Sequence, residues 1–181
     1  MPTNDPGEWE TISSKVLHDG WVKFRLDRLR LPDGDEMDYA WVEGPAAAVV
    51  LAFTSDRKVV VTEQYRHPHR RIIWDLPAGQ LLPAETPEDG ARRELREESG
   101  YSAGQLESLG DFMPNPGLVN TVVHCFVAEE IEPGAQDLDP HEVIEVMLVE
   151  WEQLVEHVMS DEPTDAVLGF CVLRYLARNR G

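Results

Sequence analysis

Basic side chains are missing from a long stretch of this sequence. Of the 181 residues, 34 are Asp or Glu and 16 are Lys or Arg, which gives a formal net charge of −18. Between Glu97 and Leu173 no Lys or Arg occurs, although 17 of the 34 acidic residues lie there. Because phosphate-rich surfaces repel such a charge, we expect neither nucleic acid nor an anionic membrane surface as a partner. A small anion held by a local basic cluster or by a bridging cation stays open.

Cysteine and long apolar segments are also scarce. The two cysteines, Cys125 and Cys171, lie in separate apolar runs without a Cys-x-x-Cys spacing. This favours two buried free thiols in a reducing compartment over a single disulfide. No apolar run approaches the roughly 20 residues of a membrane-spanning helix, and the polar N-terminus does not resemble a signal peptide. We therefore expect a cytoplasmic protein.

The residues that are present predict an α/β protein with a small N-terminal addition. A hydrophobic fraction of 42% is sufficient for a sizeable core. We expect a loose tail at residues 1–8, accessory strands at 9–45 that form a small antiparallel sheet, and the main domain at 46–178. The alternating or continuous apolar patterns predict its main strands at 46–53, 59–63, 106–112, 121–128 and 143–149, and helices at 152–159 and 165–177.

A further helix has the clearest boundaries in the chain. Thr86 is a good N-cap, Pro87 suits the first helical position, and Glu88 and Asp89 favour the positive end of the helix dipole. Gly100 tolerates the left-handed conformation that commonly follows a helix. The sequence therefore predicts a helix that begins after Thr86 and ends at about Ser99.

This helix carries a cluster of carboxylates on one arc. Glu94, Glu97 and Glu98 stand at i, i+3 and i+4, and Glu85 precedes the helix in a loop that can fold back towards it. Oxygen ligands suit hard divalent cations, and Arg93 could orient one carboxylate through a charge-assisted hydrogen bond. On an arbitrary Glu-rich helix, an ordinary solvated face would be the simpler interpretation.

The full spacing of this segment favours a functional interpretation. It fits the pattern G-x5-E-x7-R-E-U-x-E-E-x-G-U, where U is a bulky apolar residue, from Gly79 to Tyr101. With each of the seven fixed residues at about 1/15, a chance match is on the order of 10⁻⁸ per starting position. The pattern is the Nudix box, and the chain resembles the Nudix hydrolases. Residues 63–66, 74–79 and 115–117 resemble the ADP-ribose pyrophosphatase branch of that superfamily.

The resemblance implies a metal site with Mg²⁺ or Mn²⁺. Its ligands would be Glu94, Glu98 and the main-chain carbonyl of Ala78, and Glu97 would share or support the metal cluster. Arg93 would hold the carboxylates in place.

The resemblance also implies catalytic and substrate-binding residues. Glu97, Glu98, Arg93 and Glu142 would form the catalytic set, with Glu142 as general base on a loop. Glu97 and Glu145 remain rival candidates for the base. Arg66 would contact the substrate diphosphate.

Two aromatic residues near the N-terminus are candidates for binding the nucleoside. Tyr39 and Trp41 share one face of a predicted strand and could stack on a purine, as N-terminal aromatics do in relatives, and Pro116 would also line the substrate. Packing at a subunit contact or at the edge of the core is the alternative. The chain departs from relatives at residues 38–40, which lack the basic residues of some members, and at residues 119–121, where many have an acid.

Together these features imply a Nudix fold, an α/β/α sandwich around a mixed β-sheet with a small N-terminal antiparallel sheet. The implied activity is metal-dependent hydrolysis of ADP-ribose or a related nucleoside diphosphate sugar. Hydrolysis of another nucleoside diphosphate derivative is one alternative, and a non-catalytic sensor of nucleotide sugars is another. Relatives in this branch are commonly joined through N-terminal strands, so we expect a homodimer.

Overall fold

The computed structural model describes residues 9–179, so the predicted tail at residues 1–8 lies outside the described residues. The chain divides into two compact units. One comprises the described residues up to Pro45 together with Asn115–Thr121, and the other comprises Ala46–Pro114 and the described residues from Val122 onward. Residues 115–121 join the N-terminal strands through hydrogen bonds such as Val42 N–H to the Leu118 carbonyl, 2.8 Å.

The N-terminal unit is a three-stranded antiparallel sheet. Its strands are β1 (Glu10–Asp19), β2 (Lys23–Arg30) and β3 (Glu36–Glu43), in that spatial order. Every residue of β1 is exposed, and the strand pairs with β2 along one edge. The predicted N-terminal sheet is confirmed.

The second unit contains seven strands in two sheets. One sheet has the order β7-β4-β9-β8, in which β4 and β9 are parallel and the other pairs antiparallel. The other sheet has the antiparallel order β10-β5-β6. The strands are β4 (Ala47–Ala52), β5 (Lys58–Arg66), β6 (Arg71–Asp75), β7 (Ala78–Gln80), β8 (Glu107–Phe112), β9 (Val123–Ala128) and β10 (Ile144–Glu150).

Three helices cover the two sheets of the second unit, one side by α1 (Pro87–Ser99) and the other by α2 (Trp151–Met159) and α3 (Ala166–Arg178). Strand β4 explains this layering, since successive side chains of a strand point to opposite faces. Val49 and Leu51 pack in a cluster with residues of α2 and α3, whereas Ala48 and Val50 pack in a second cluster with residues of α1. The continuous apolar run is therefore a strand buried on both faces, and the predicted α/β/α sandwich around a mixed sheet is confirmed.

Local details agree with the sequence in most places. Thr86 caps α1 by accepting a hydrogen bond from Asp89 N–H, and Gly100 ends it in the left-handed conformation with φ 78°. Cys125 and Cys171 are buried free thiols, as predicted. Strand β7 was not predicted, because three residues are too few to show a periodic pattern. No helix in the described part of the chain has the length and apolar character needed to cross a membrane.

Candidate active site

Arg93 is the centre of a carboxylate cluster on α1. Its Nε donates to Glu85 Oε1 at 2.8 Å, and its Nη1 donates to Glu94 Oε1 at 2.7 Å and to Glu97 Oε2 at 3.0 Å. Its Nη2 donates to the Gln80 carbonyl at 2.9 Å, which ties the helix to β7. One guanidinium thus holds three of the four glutamates of the predicted box.

This arrangement stabilises the charged forms of Arg93 and Glu85. The hydrogen bond with Glu85, followed by those with Glu94 and Glu97, raises the pKa of the Arg93 guanidinium. The same hydrogen bond lowers the pKa of the Glu85 carboxyl. The loop before α1 is therefore fixed to the helix by charge-assisted hydrogen bonds. Glu85 folds back towards the helix, as the sequence predicted.

Glu98 lies in a different environment from the other three glutamates. It is only 7% exposed, and its Oε2 accepts a hydrogen bond from Ala78 N–H at 2.8 Å. Burial raises the pKa of Glu98 to about 8, and the charges of Glu94 and Asp75 add to the rise. No Lys, Arg or His side chain within residues 9–179 forms an ion pair with it.

Glu94 is also buried, and Gly79 makes room for its carboxylate. Glu94 is 9% exposed, and burial raises its pKa while Arg93 opposes the rise. A Cβ atom on Gly79 would overlap the carboxylate oxygens of Glu94. A side chain at position 79 would therefore displace the Glu94 carboxylate from this position.

The donor set fits a hard divalent cation by its chemistry. Glu94 and Glu98 are buried carboxylates, and Glu98 has only a backbone N–H to offset its charge, so a cation would relieve an unfavourable burial. In residues 9–179 no three His, Cys, Asp or Glu side chains already converge at metal-binding distances. Glu94 and Glu97 direct carboxylate oxygens to Arg93.

The loop that carries Glu142 is attached to the C-terminal end of α1. Gln136 Nε2 donates to the Glu98 carbonyl at 2.6 Å, and Asp137 N–H donates to the Glu97 carbonyl at 2.9 Å. The charge of Glu142 adds slightly to the raised pKa of both Glu94 and Glu98, and its role as the base stays a prediction.

The rival Glu145 has different surroundings. It is an exposed residue of β10, and its cross-strand partner is Glu63. Its role as the base remains an alternative prediction.

Arg66 stands at the end of β5 and forms an ion pair with Asp75 at the end of β6. Both residues line a cavity of about 370 Å³ together with Ala78 and Gly79. Burial raises the pKa of Asp75 to about 6, the charge of Asp165 adds to the rise, and Arg66 opposes it. Asp75 was not predicted as a site residue, although it lies inside the segment 74–79 that carries part of the resemblance.

Tyr39, Trp41 and Pro116 form their own cluster in the N-terminal unit. The Tyr39 hydroxyl donates to the Gly117 carbonyl at 2.6 Å, and Trp41 Nε1 donates to Asp27 Oδ2 at 2.7 Å. The three predicted residues line a cavity of about 240 Å³. The structure thus groups them, and their role towards a purine stays a prediction.

Comparison with known proteins agrees with this geometry. A model of the NUDIX domain matches residues 42–168. An ADP-ribose pyrophosphatase of Bacillus subtilis (strain 168) is 36% identical over 91% of this chain and 91% of its own. A methanol dehydrogenase activator of Bacillus methanolicus is 33% identical over 88% of both chains. A solved structure described as an ADP compounds hydrolase superposes with a TM-score of 0.81 at 16% identity, over 97% of each chain.

These matches bear on three of the predictions. The domain match spans the whole box, and the first relative is a pyrophosphatase that aligns with nearly the full chain. The structural match independently supports the fold. The predicted family resemblance, fold and hydrolase class are confirmed.

Proposed function

We propose that this chain, which belongs to the NUDIX domain family, hydrolyses the diphosphate bond of ADP-ribose or a related nucleoside diphosphate sugar. The observation that carries the proposal is the box geometry: Arg93 holds three glutamates, and the fourth, Glu98, is buried without a cationic side chain beside it in the described chain. With ADP-ribose, which the Bacillus subtilis relative's name implies as its substrate, the products are AMP and ribose 5-phosphate.

The metal ion is Mg²⁺ or Mn²⁺ in this proposal. Glu94, Glu98 and the carbonyl of Ala78 hold it, and Glu97 supports the cluster. When bound, the ion offsets the negative charge of the phosphates and lowers the pKa of a water. Hard oxygen donors and buried acidic side chains support this choice.

The chain's own residues position the substrate and move the proton. Arg66 binds the diphosphate through charge-assisted hydrogen bonds, and Tyr39, Trp41 and Pro116 bind the nucleoside. Glu142 accepts a proton from water, whose oxygen bonds to one phosphorus as the P–O bond to the leaving phosphate breaks. Glu97 and Glu145 are the other candidates for this base.

The proposal is tested with purified protein and a panel of ADP-ribose, ADP-glucose and GDP-mannose in Mg²⁺ or Mn²⁺. We expect AMP and ribose 5-phosphate from ADP-ribose, identified by chromatography, and no turnover in EDTA. Faster cleavage of another member of the panel would reassign the substrate. Tight binding of the panel by calorimetry without any cleavage would support a nucleotide-sugar sensor and overturn the enzyme.

We further propose a cytoplasmic homodimer joined through the N-terminal strands. The ten-residue edge strand β1 exposes Ile12, Val16 and Leu17, and exposed edge strands with apolar side chains tend to pair. Light scattering after size exclusion should give twice the mass of one chain. Leu17→Asp should shift the protein towards the monomer, whereas the polar neighbour Lys15→Gln should leave the dimer intact. A monomeric wild type would overturn this part.

A further inference from the structure

The buried carboxylate of Asp75 contacts both Arg66, which is proposed to bind the diphosphate, and the backbone close to the proposed metal ligand Ala78. Asp75 is 6% exposed and lies at the end of β6, antiparallel to β5. Its Oδ2 accepts a hydrogen bond from Arg66 Nη2, and its Oδ1 accepts one from Leu76 N–H at 2.9 Å. Both carboxylate oxygens are therefore occupied by contacts within the chain.

The first contact restrains a side chain that would otherwise be mobile. Arg66 is 43% exposed, and its cross-strand partner is another arginine, Arg71, whose charge does not attract it. Its backbone is held by a turn, since His69 N–H and Arg70 N–H donate to the Arg66 carbonyl. Only the guanidinium then needs to be fixed, and Asp75 is the acid with which it forms an ion pair among residues 9–179.

The second contact reaches the backbone of the metal site. Leu76 is 1% exposed and stands two residues before Ala78, whose N–H binds the Glu98 carboxylate. Asp75 therefore connects the guanidinium of Arg66 to the segment whose carbonyl is assigned to the metal ion. A displaced Asp75 would alter the distance between these two groups.

The geometry points to Asp75 as a positioning residue that holds Arg66 for the substrate diphosphate. This inference rests on the role proposed above for Arg66. The competing interpretation is a structural ion pair that stabilises the β5–β6 hairpin without influence on substrate binding. The two differ in what happens when Arg66 is already absent.

The test is a double-mutant cycle of Asp75→Asn and Arg66→Ala, measured as kcat and KM for ADP-ribose and as the Kd of ADP with Mg²⁺. Asparagine keeps an acceptor for Leu76 N–H and removes the charge that holds Arg66. We expect Asp75→Asn to lower kcat/KM about 10-fold, mostly through KM, and to weaken ADP binding by a similar factor. In the Arg66→Ala background it should change either quantity by less than about twofold.

Glu129→Gln is the matched control. It removes the partner of another arginine, Arg57, at 3.0 Å, and it contacts neither Arg66 nor Asp75. We expect it to leave KM and the Kd of ADP unchanged. If circular dichroism shows that Asp75→Asn does not fold, the same cycle with Asp75→Glu, which keeps the charge and moves the carboxylate, replaces it.

Two results would overturn the inference. Equal losses from the Asp75 substitution with and without Arg66 would show that Asp75 acts independently of it. Wild-type values in the Asp75 variant would show that it does not act at all. If the wild type cleaves no member of the nucleotide-sugar panel, the proposed function fails by itself. The ADP-binding cycle, which requires no hydrolysis, still decides the role of Asp75.

Discussion

Ion pairs between arginine and carboxylate side chains occur both in the N-terminal sheet and on α1, the helix that carries the Nudix box, but their environments differ. In the sheet, Arg28 reaches Asp38 at 3.1 Å and Arg30 reaches Glu10 at 2.6 Å, and all four side chains are more than 40% exposed. On the helix, the Arg93 side chain is 20% exposed and binds three carboxylates. Water screens the first set, so each pair contributes little, whereas the second set fixes the geometry of a site.

The two regions also treat a glutamate in opposite ways. In the sheet, the hydrogen bond from Arg30 lowers the pKa of Glu36. On the helix, burial raises the pKa of Glu98 to about 8. A buried carboxylate whose ionisation is unfavourable without a partner is suited to bind a cation. A surface carboxylate that is already paired with an arginine is not. Chemistry is therefore expected on the helix, and we expect little effect from substitutions that remove the exposed ion pairs of the sheet.

The largest expected effect is the loss of activity in Glu98→Gln. We expect kcat for ADP-ribose to fall about 1,000-fold, because a metal ion supplies several kcal/mol and each ~1.4 kcal/mol is tenfold in rate. AMP release and circular dichroism measure activity and folding. Glu107→Gln, at an exposed position of β8, is the control that should retain activity. A loss below tenfold in Glu98→Gln would remove the functional difference between the two regions.

Gly79→Ala should reduce kcat by about 100-fold. The new methyl group would overlap the carboxylate of Glu94, a proposed metal ligand, and displace it. We expect this displacement to reduce activity as much as the loss of a hydrogen bond that orients a metal ligand. Gly104→Ala adds the same methyl group where no atom lies within 4 Å and should be neutral. Equal kinetics of the two variants would contradict the close-approach argument.

Arg93→Ala should lower the free energy of unfolding by about 3 kcal/mol, because it leaves partly buried carboxylates without their cation. Urea denaturation in EDTA measures this loss without a contribution from metal. The three hydrogen-bonded partners should then repel one another. A change below about 0.5 kcal/mol would mean that the cluster is as well screened as the surface pairs.

Without metal, Glu98→Gln should be more stable than the wild type, and increasingly so as pH rises. The folded carboxyl titrates near 8 and the ordinary value is 4.5, so the folded state retains a proton that the unfolded chain loses. This contribution to stability is complete below pH 4.5 and is lost as pH rises towards 8. We expect an advantage for the variant of about 4 kcal/mol at pH 8 and near zero at pH 4.

Glu129→Gln is the control, because the effect of this substitution on the free energy of unfolding should depend on pH in the opposite direction. Hydrogen bonds from Tyr175 and Arg57 lower the pKa of Glu129, so its contribution is present above the ordinary pKa and is lost on acidification. Its substitution should therefore cost stability at neutral pH. Parallel pH dependence of the two variants would contradict the assigned pKa directions.

The smallest expected effect is that of Arg28→Gln in the N-terminal sheet. Its partners Asp38 and Glu36 are exposed, and such pairs contribute little in water. We expect a change in Tm of less than about 1 °C by calorimetry and unchanged kinetics. A larger shift would show that the sheet holds its ion pairs as tightly as the helix does.

Short-range chemistry made much of the site predictable. The cap at Thr86, the stop at Gly100 and the i, i+4 spacing of Glu94 and Glu98 act within a few turns, and the helix follows them. The continuous apolar run of β4 likewise identified a strand buried on both faces. The pairing of Asp75 with Arg66 was not predictable, since it depends on how strands β5 and β6 align.

By itself the sequence determined which carboxylates gather around Arg93, because helical periodicity places this residue within reach of the neighbouring glutamates. The tertiary structure decided which carboxylate is buried, which acid holds Arg66 and which loop contacts the end of α1. The physical reason is desolvation. Burial raises the pKa of Glu98 above that of an exposed glutamate of identical chemistry, and burial exists only when distant segments pack together.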